Sequence, residues 1–265
     1  MAVSTLSKRK DVITMGSGSH KSIQPTLFYI HIPKTAGSSM YQILHQVYGC
    51  QLGVVADPDT TIWDTILAQP DHGLACIFGH YWFGLHHSSV LPFEYATMMR
   101  DPVEAILSYY YYIARQPSHW LYGHALSLSI EDFFDLPEEV VGMFFRDYQT
   151  ASILGSSSVS VKKAKQQINS FYPIVGITEM FHESVYMLKK RYGWGPLQVY
   201  SVNVTPNRPT REGLAPKVIK QIEALVSHDI QVYAFAKKRL LKSIRSLPPH
   251  EKELIQQFKL TGALT

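Results

Sequence analysis

Short apolar runs alternate with longer segments of helical periodicity along this chain. The run 27–32 (LFYIHI) is rich in β-forming residues and predicts a buried strand; after a break, Met40, Ile43, Leu44 and Val47 recur at helical spacing. Further strands are predicted at 51–55, 74–78, 95–99, 174–178 and 197–202. Helices are predicted at 62–67, 103–116, from 129, and at 138–154, 161–170, 181–192, 216–241 and 251–260. This alternation indicates an α/β fold with a mostly parallel central sheet flanked by helices.

Length and composition favour one folded domain. A chain of 265 residues with 46% hydrophobic content fits a single α/β domain, which we predict to span 26–265. Residues 1–25 lack the apolar core of a signal peptide. We expect them to form a flexible tail. No apolar stretch approaches the roughly 20 residues that span a bilayer. Since Cys50 and Cys76 do not make a disulfide framework, we expect a cytoplasmic protein.

The charge balance suits an anionic ligand. The formal net charge is 25 − 21 = +4, and no dense stripe of lysine and arginine occurs. We therefore expect no nucleic-acid partner, since such proteins carry a concentrated basic surface.

The break between the first strand and its helix has the composition of an anion-binding loop. Pro33 ends the strand, and small and hydroxyl residues follow a lysine there. A helix N-terminus offers free N–H groups and a partial positive charge, glycine permits close backbone approach, and the lysine adds a mobile cation. The candidate ligands of a phosphate or sulfate group are Lys34, Thr35, Ala36, Gly37, Ser38 and Ser39. The alternative is an ordinary strand-to-helix turn with a surface lysine.

Two more candidate sites follow predicted strands. His80 comes after the strand at 74–78, and Arg100 comes after the strand at 95–99, with Ser108 two helical turns further on. Because ligands bind beyond the carboxyl ends of parallel strands, we expect these groups and the loop to share one cleft. Histidine suits proton abstraction near neutral pH, and arginine suits bidentate phosphate binding. The alternatives are a histidine bonded to backbone and an Arg100 paired with a neighbouring carboxylate.

Three segments carry a resemblance to a known family. PKTAGSS (33–39) resembles the 5′-phosphosulfate loop of sulfotransferases that use 3′-phosphoadenosine 5′-phosphosulfate (PAPS), and is not a Walker A loop. RDPVEAILSYY (100–110) resembles their 3′-phosphate motif. FGHYWFG (78–84) resembles the GHxxF element of the sulfotransferase family 2 branch, which contains heparan sulfate 2-O-sulfotransferase and bacterial relatives. One departure is Asp147, which stands where the branch usually has asparagine.

The resemblance implies a P-loop-like three-layer sandwich and a role for each candidate residue. Lys34 would stabilise the leaving group, and His80 would be the general base, with His86 and His87 as rivals. Residues 34–39 would hold the 5′-phosphate; Arg100 and Ser108 would hold the 3′-phosphate. A late loop would add Arg208 or Arg211 near a phosphate. No metal is expected, and a bacterial enzyme is the simpler interpretation.

The acceptor is open at this stage. The resemblance implies a hydroxyl-bearing acceptor, and carbohydrate hydroxyls fit the branch, while a lipid, a polyketide or a protein tyrosine stays open. The lack of a strongly basic tract favours a smaller or neutral acceptor. Alternative functions are a P-loop-type small-molecule kinase and a non-catalytic nucleotide-binding protein. The sequence does not indicate an oligomeric state.

Overall fold

A five-stranded parallel sheet forms the centre of the computed structural model, which describes residues 25–56, 61–199 and 211–265. The strands lie in the order β2-β3-β1-β4-β5, and every neighbouring pair is parallel. Their bounds are β1 Thr26–Ile30, β2 Leu52–Val55, β3 Cys76–Gly79, β4 Phe93–Met99 and β5 Ile174–Ile177. The predicted parallel sheet is thus confirmed.

Both faces of this sheet are covered. Leu27, Phe28, Tyr29 and Ile30 of the central strand are all almost fully buried. Because successive side chains of a strand point to opposite faces, burial of all four requires a layer of structure on each side. The predicted α/β class, with a P-loop-like sheet between helical layers, is confirmed.

The helices have the following bounds: α1 Gly37–Tyr48, α2 Thr61–Leu67, α3 Pro102–Ile113, α4 Tyr122–Ser127, α5 Ile130–Phe134, α6 Glu138–Phe145, α7 Tyr148–Leu154, α8 Val161–Phe171, α9 Phe181–Tyr192, α10 Pro216–Leu225, α11 Ser227–Arg245 and α12 Pro249–Thr261. Helix α3 leaves the sheet and contributes its apolar face to a second core, made with α4, α5, α6 and α10. This arrangement fixes the position of α3, which begins two residues after Arg100, beside the edge of the sheet where β4 ends.

Two of the predicted helices are wrong, because each is two helices. The predicted helix 138–154 breaks at Asp147, whose φ is 46°, and the predicted helix 216–241 breaks at Val226. A carboxylate at each break caps the helix that begins at the other break. Asp147 Oδ1 accepts the N–H groups of His228 (2.9 Å) and Asp229 (3.0 Å) at the start of α11. Asp229 Oδ1 in turn accepts the N–H of Thr150 (2.7 Å) at the start of α7.

Part of the predicted strand 197–202 lies apart from the main sheet. β6 (Leu197–Gln198) pairs antiparallel with β7 (Ala263–Leu264), which follows α12 and contacts it. Residues 200–202, Arg208 and the predicted tail up to residue 24 lie outside the described residues. Within the described part of the chain, none of the helices has the length and apolar character needed to cross a membrane.

Candidate anion-binding and catalytic site

The three candidate segments meet at one edge of the sheet, as predicted. β1 pairs in parallel with β3 on one side and β4 on the other, so the segments that follow these strands emerge together. The N–H of His31 donates to the carbonyl of Gly79 (2.8 Å), and the imidazole centroids of His31 and His80 lie 4.2 Å apart. On the other side, Arg100 Nη1 donates to the carbonyl of Lys34 (3.2 Å).

The β1–α1 loop (residues 31–36) has an unusual backbone. Lys34 and Ala36 both have positive φ, 66° and 67°, although neither is glycine. Such conformations cost on the order of 1–3 kcal/mol each and concentrate at functional sites. The Thr35 hydroxyl donates to the carbonyl of Ile32 (2.7 Å), which holds the loop in this shape. The loop therefore resembles a preformed cradle more than an ordinary turn.

The cradle leads into an uncapped helix. Ala36 is the N-cap of α1, and it offers no side-chain oxygen to the first-turn N–H groups. Helix α3, in contrast, begins at a cap, because Asp101 Oδ1 accepts the N–H of Glu104 (3.1 Å). Uncapped first-turn amides carry partial positive charge and suit an anion. Ser38 is exposed beside them, while Thr35 and Ser39 are buried.

His31 supports the cradle from below. A Cβ added at Gly37 would lie 1.6 Å from His31 Nε2, so the imidazole occupies the space that a side chain at 37 would need. The same ring stacks on Phe78 at 5.1 Å. Burial, His80 and Lys34 together lower the pKa of His31 to about 3, so its ring is neutral. It is therefore a packing group in this site.

The positive charges of two arginines act on Lys34. The Lys34 ammonium lies 4.5 Å from the centroid of the Tyr112 ring. Burial is the largest cause that lowers the pKa of Lys34, followed by the positive charges of Arg100 and Arg115. Mutual repulsion among like charges is relieved when an anion binds between them. The electrostatics of the site therefore favour an anionic ligand.

Arg100 is held by its backbone as well as by its side chain. The amide of Gln149 brackets it: Oε1 accepts the N–H of Arg100 and Nε2 donates to its carbonyl, each at 3.0 Å. Its guanidinium lies 3.9 Å from Glu104 and 4.0 Å from Glu179, distances at the outer limit of an ion pair. Arg100, the residue expected to bind a phosphate, thus also lies near carboxylates, as the alternative interpretation predicted.

The Gln149 clamp rests on a buried carboxylate. Asp229 accepts the N–H and hydroxyl of Thr150 (2.7 and 2.6 Å) and the N–H of Gln149 (3.2 Å). The pKa of Asp229 is raised to about 7: burial is the main cause and the neighbouring Asp147 adds to it, while the hydrogen bonds from Thr150 and Gln149 act in the opposite direction. Asp147 also accepts a hydrogen bond from the His228 ring (2.7 Å), so this side chain holds the start of α11.

His80 is the histidine at the cleft. Its side chain is exposed, yet partial burial of the ring lowers its pKa, and a hydrogen bond to the His31 backbone offsets this in part. The ring is therefore neutral near pH 7 and can accept a proton. His86 lies elsewhere: its Nδ1 is 2.9 Å from the hydroxyl of Tyr95 and its ring packs on Phe93, at the start of β4.

His86 and His87 thus lie near the amino end of β4, away from the strand ends that carry the candidate site. β4 runs from Phe93 to Met99, so its first residues and Arg100 lie at opposite ends of the strand. Burial and His87 lower the pKa of His86 to about 4. The His87 ring lies 4.4 Å from that of His86, and the two share this region.

Two candidate phosphate ligands are engaged elsewhere or buried. Ser108 is only 8% exposed on α3, which leaves little of its surface for a ligand. Arg211 forms an ion pair with Glu223 of α10. No group of three or more metal-ligating side chains occurs among the described residues.

Sequence reasoning missed three members of this site. Arg115 lies two residues beyond the end of α3, and the local sequence carries no signal of its effect on Lys34. Tyr112 belongs to a run of four tyrosines (109–112), which by itself indicates no contact with a lysine. Gln149 has no local signal, because its partner Arg100 lies 49 residues away.

Comparisons with known proteins give a partial picture. No protein-family model and no curated protein matches the chain. Among solved structures it is similar to a sulfotransferase from Alicyclobacillus acidocaldarius, with a TM-score of 0.48 and 14% identity over 80% of this chain and 96% of that one. It is also similar to mouse sulfotransferase SULT7A1 complexed with PAP, with a TM-score of 0.46 and 12% identity over 84% and 90% of the two chains. At these scores and identities, neither likeness bears on what this chain does.

Proposed function

We propose that this chain is a PAPS-dependent sulfotransferase that transfers a sulfuryl group to an acceptor hydroxyl. The observation that carries the proposal is the meeting of Lys34 and Arg100 at the start of α1, where Arg100 donates to the Lys34 carbonyl, with neutral His80 at the end of the neighbouring strand. This arrangement combines an anion site with a proton acceptor. The FGHYWFG segment supports placing the chain in the sulfotransferase family 2 branch.

The described residues fit the anionic groups of the donor. The backbone of residues 35–39 would bind the 5′-phosphate through first-turn amides, and Lys34 would contact the same group. Arg100 would bind the 3′-phosphate, a pairing for which the guanidinium fork is suited. Ser108, Arg211 and Arg208 are proposed as further phosphate ligands. PAPS, when bound, supplies the activated sulfuryl group.

Lys34 is proposed to stabilise the leaving group. In the structure its ammonium rests on the ring of Tyr112, beside the cradle. A long, unbranched side chain can move from this position toward a phosphate, where its charge stabilises negative charge that grows during transfer. Burial, and after it the neighbouring guanidinium groups, keep the pKa of Lys34 below its usual value, so activity requires a pH low enough to keep it charged.

His80 is proposed as the general base. Its lowered pKa keeps the ring neutral at neutral pH, and the hydrogen bond to the His31 backbone orients it. One ring nitrogen can then take the proton of the acceptor hydroxyl as the oxygen attacks sulfur. His31, held between Gly37 and Phe78, fixes the position of this base.

The cellular location is proposed to be the cytoplasm. Cys50 is exposed and Cys76 is buried, and both are free thiols. An exposed free thiol suits a reducing compartment, where disulfides rarely persist.

A donor-turnover assay tests the proposed function. The purified chain is incubated with PAPS and a panel of phenols, alcohols and sugars, and both nucleotide and acceptor are followed by chromatography and mass spectrometry. We expect adenosine 3′,5′-bisphosphate to form only when an acceptor is present, with one sulfate gained per acceptor. Phosphorylation of an acceptor by ATP–Mg²⁺ would instead identify a kinase. Nucleotide binding without transfer across the panel would favour a non-catalytic binding protein.

A further inference from the structure

A row of aromatic rings leads from the loop that carries His80 to the ring that contacts Lys34. We name it the aromatic wall: Trp82, Tyr148, Phe144, Tyr109 and Tyr112. Successive ring centroids along it lie 6.2, 6.1, 6.1 and 6.1 Å apart. These spacings are typical of directly packed aromatic pairs, so the rings form one continuous surface.

The wall begins in the loop that carries His80 and ends at Lys34. Trp82 lies two residues after His80 in the same loop, and the ring of Tyr112 holds the Lys34 ammonium. Both end members are open to solvent, with 37% of Trp82 and 38% of Tyr112 exposed. A molecule that reaches between the two catalytic groups therefore has aromatic surface beside it.

The hydroxyl of Tyr109 lies 3.3 Å from Nε2 of His119, a residue outside the wall, whose Nδ1 accepts the N–H of Leu121 (3.1 Å). The ring of Trp82 meets that of Tyr148 edge to face. The faces of these rings are carbon, and they offer no conventional hydrogen-bond partner to a ligand with many hydroxyl groups.

We infer that the acceptor is an aromatic alcohol, a phenol, whose ring packs on the aromatic wall while its hydroxyl faces His80. The inference rests on the proposed function and names its substrate class. A flat apolar ring replaces water on the wall without losing hydrogen bonds. A carbohydrate would bring several hydroxyls to a surface with few partners, and unpaired polar groups are costly to bury.

The chemistry of a phenol also matches the base. In the transfer, a bond forms between the phenol oxygen and sulfur while the bond from sulfur to the leaving phosphate oxygen breaks, and the phenol proton passes to His80. A phenol has a pKa of about 10, so it gives up its proton more readily than an alkyl or sugar hydroxyl. Since burial makes His80 a weaker base than an ordinary histidine, the more acidic hydroxyl is the better partner.

Calorimetric titration of two neutral probes tests this inference. 2-Naphthol offers an aromatic ring with one hydroxyl, and methyl β-glucoside offers several hydroxyls without an aromatic ring. Each is titrated into the full chain with and without adenosine 3′,5′-bisphosphate. We expect 2-naphthol to bind at least tenfold more tightly than the glucoside. Trp82→Ala should weaken 2-naphthol binding roughly tenfold, the scale of one lost aromatic contact, and Trp82→Phe should retain most of the affinity.

Phe171→Ala is the matched control. Phe171 is also 37% exposed, and its ring packs on Phe83 and Phe93 near the start of β4, away from the wall. Equal loss in Trp82→Ala and Phe171→Ala, tighter binding of the glucoside, or no 2-naphthol binding would each overturn the inference. If the bisphosphate binds but 2-naphthol does not, the phenol assignment alone fails. If 2-naphthol binding depends on Trp82 while the bisphosphate does not bind, the aromatic site stands and the proposed function fails.

Discussion

Replacing Gly37 by alanine probes the packing beneath the anion cradle. The added Cβ would lie 1.6 Å from His31 Nε2, 2.0 Å from its Cδ2 and 2.2 Å from its Cε1. No two non-bonded heavy atoms can lie so close together, so the imidazole must move. The ring is stacked on Phe78 and lies beside His80, and moving it disturbs both contacts. We expect a loss of about 1–3 kcal/mol in the free energy of unfolding, the usual cost of overpacking.

A double-mutant cycle isolates this clash. In His31→Ala/Gly37→Ala the ring is absent, so the second substitution should cost little beyond the first, with a coupling energy of about 1–3 kcal/mol. Urea denaturation measures the stabilities, and calorimetry measures bisphosphate affinity. Gly123→Ala in α4 is the control, because its Cβ meets no atom within 4 Å. The reasoning fails if Gly37→Ala is as stable as Gly123→Ala, or if the effects of the two substitutions simply add.

Four further variants test individual roles. Lys34→Ala should lower kcat by ~10²–10³ while bisphosphate affinity falls less, as measured by nucleotide release; equal losses would indicate ground-state binding alone. His80→Ala should lower kcat by ~10²–10⁴, and near-normal turnover would remove it as the base. Arg115→Ala should raise the pKa of Lys34, so the basic limb of the pH–rate profile should move to higher pH, whereas Arg245→Ala should leave it in place. The pKa of Asp229 is raised from 3.8 to about 7, so between these pH values the folded state binds more protons than the unfolded state, and the free energy of unfolding falls as pH rises. Urea titrations of Asp229→Asn should therefore show a flatter dependence of stability on pH. An unchanged slope would contradict the assignment.

The central architecture could be predicted because its signals are local. Buried strands such as β1 are short apolar runs. Helix ends are often marked by a glycine, as at Gly193, which has a φ of 65°. The convergence of the loop, His80 and Arg100 follows from parallel pairing alone, since strand ends of a parallel sheet share one edge.

The errors arose where distant residues determine the local structure. The helix breaks at Asp147 and Val226 depend on carboxylates that cap a helix about 80 residues away, and hydrophobic periodicity contains no trace of such a partner. Gln149 was missed for the same reason. Tyr112 was within reach, because it lies on the helix that carries Ser108, whereas Arg115 follows the end of that helix.

Calorimetric titration with adenosine 3′,5′-bisphosphate, AMP and ATP–Mg²⁺ tests the proposed donor site most directly. We expect the bisphosphate to bind at least tenfold more tightly than AMP, because a charged hydrogen bond to the 3′-phosphate contributes about 1.5–3 kcal/mol. Arg100→Ala should abolish this preference and leave AMP binding little changed. Equal affinities for the bisphosphate and AMP, or tightest binding of ATP–Mg²⁺, would contradict the assignment of this site to PAPS.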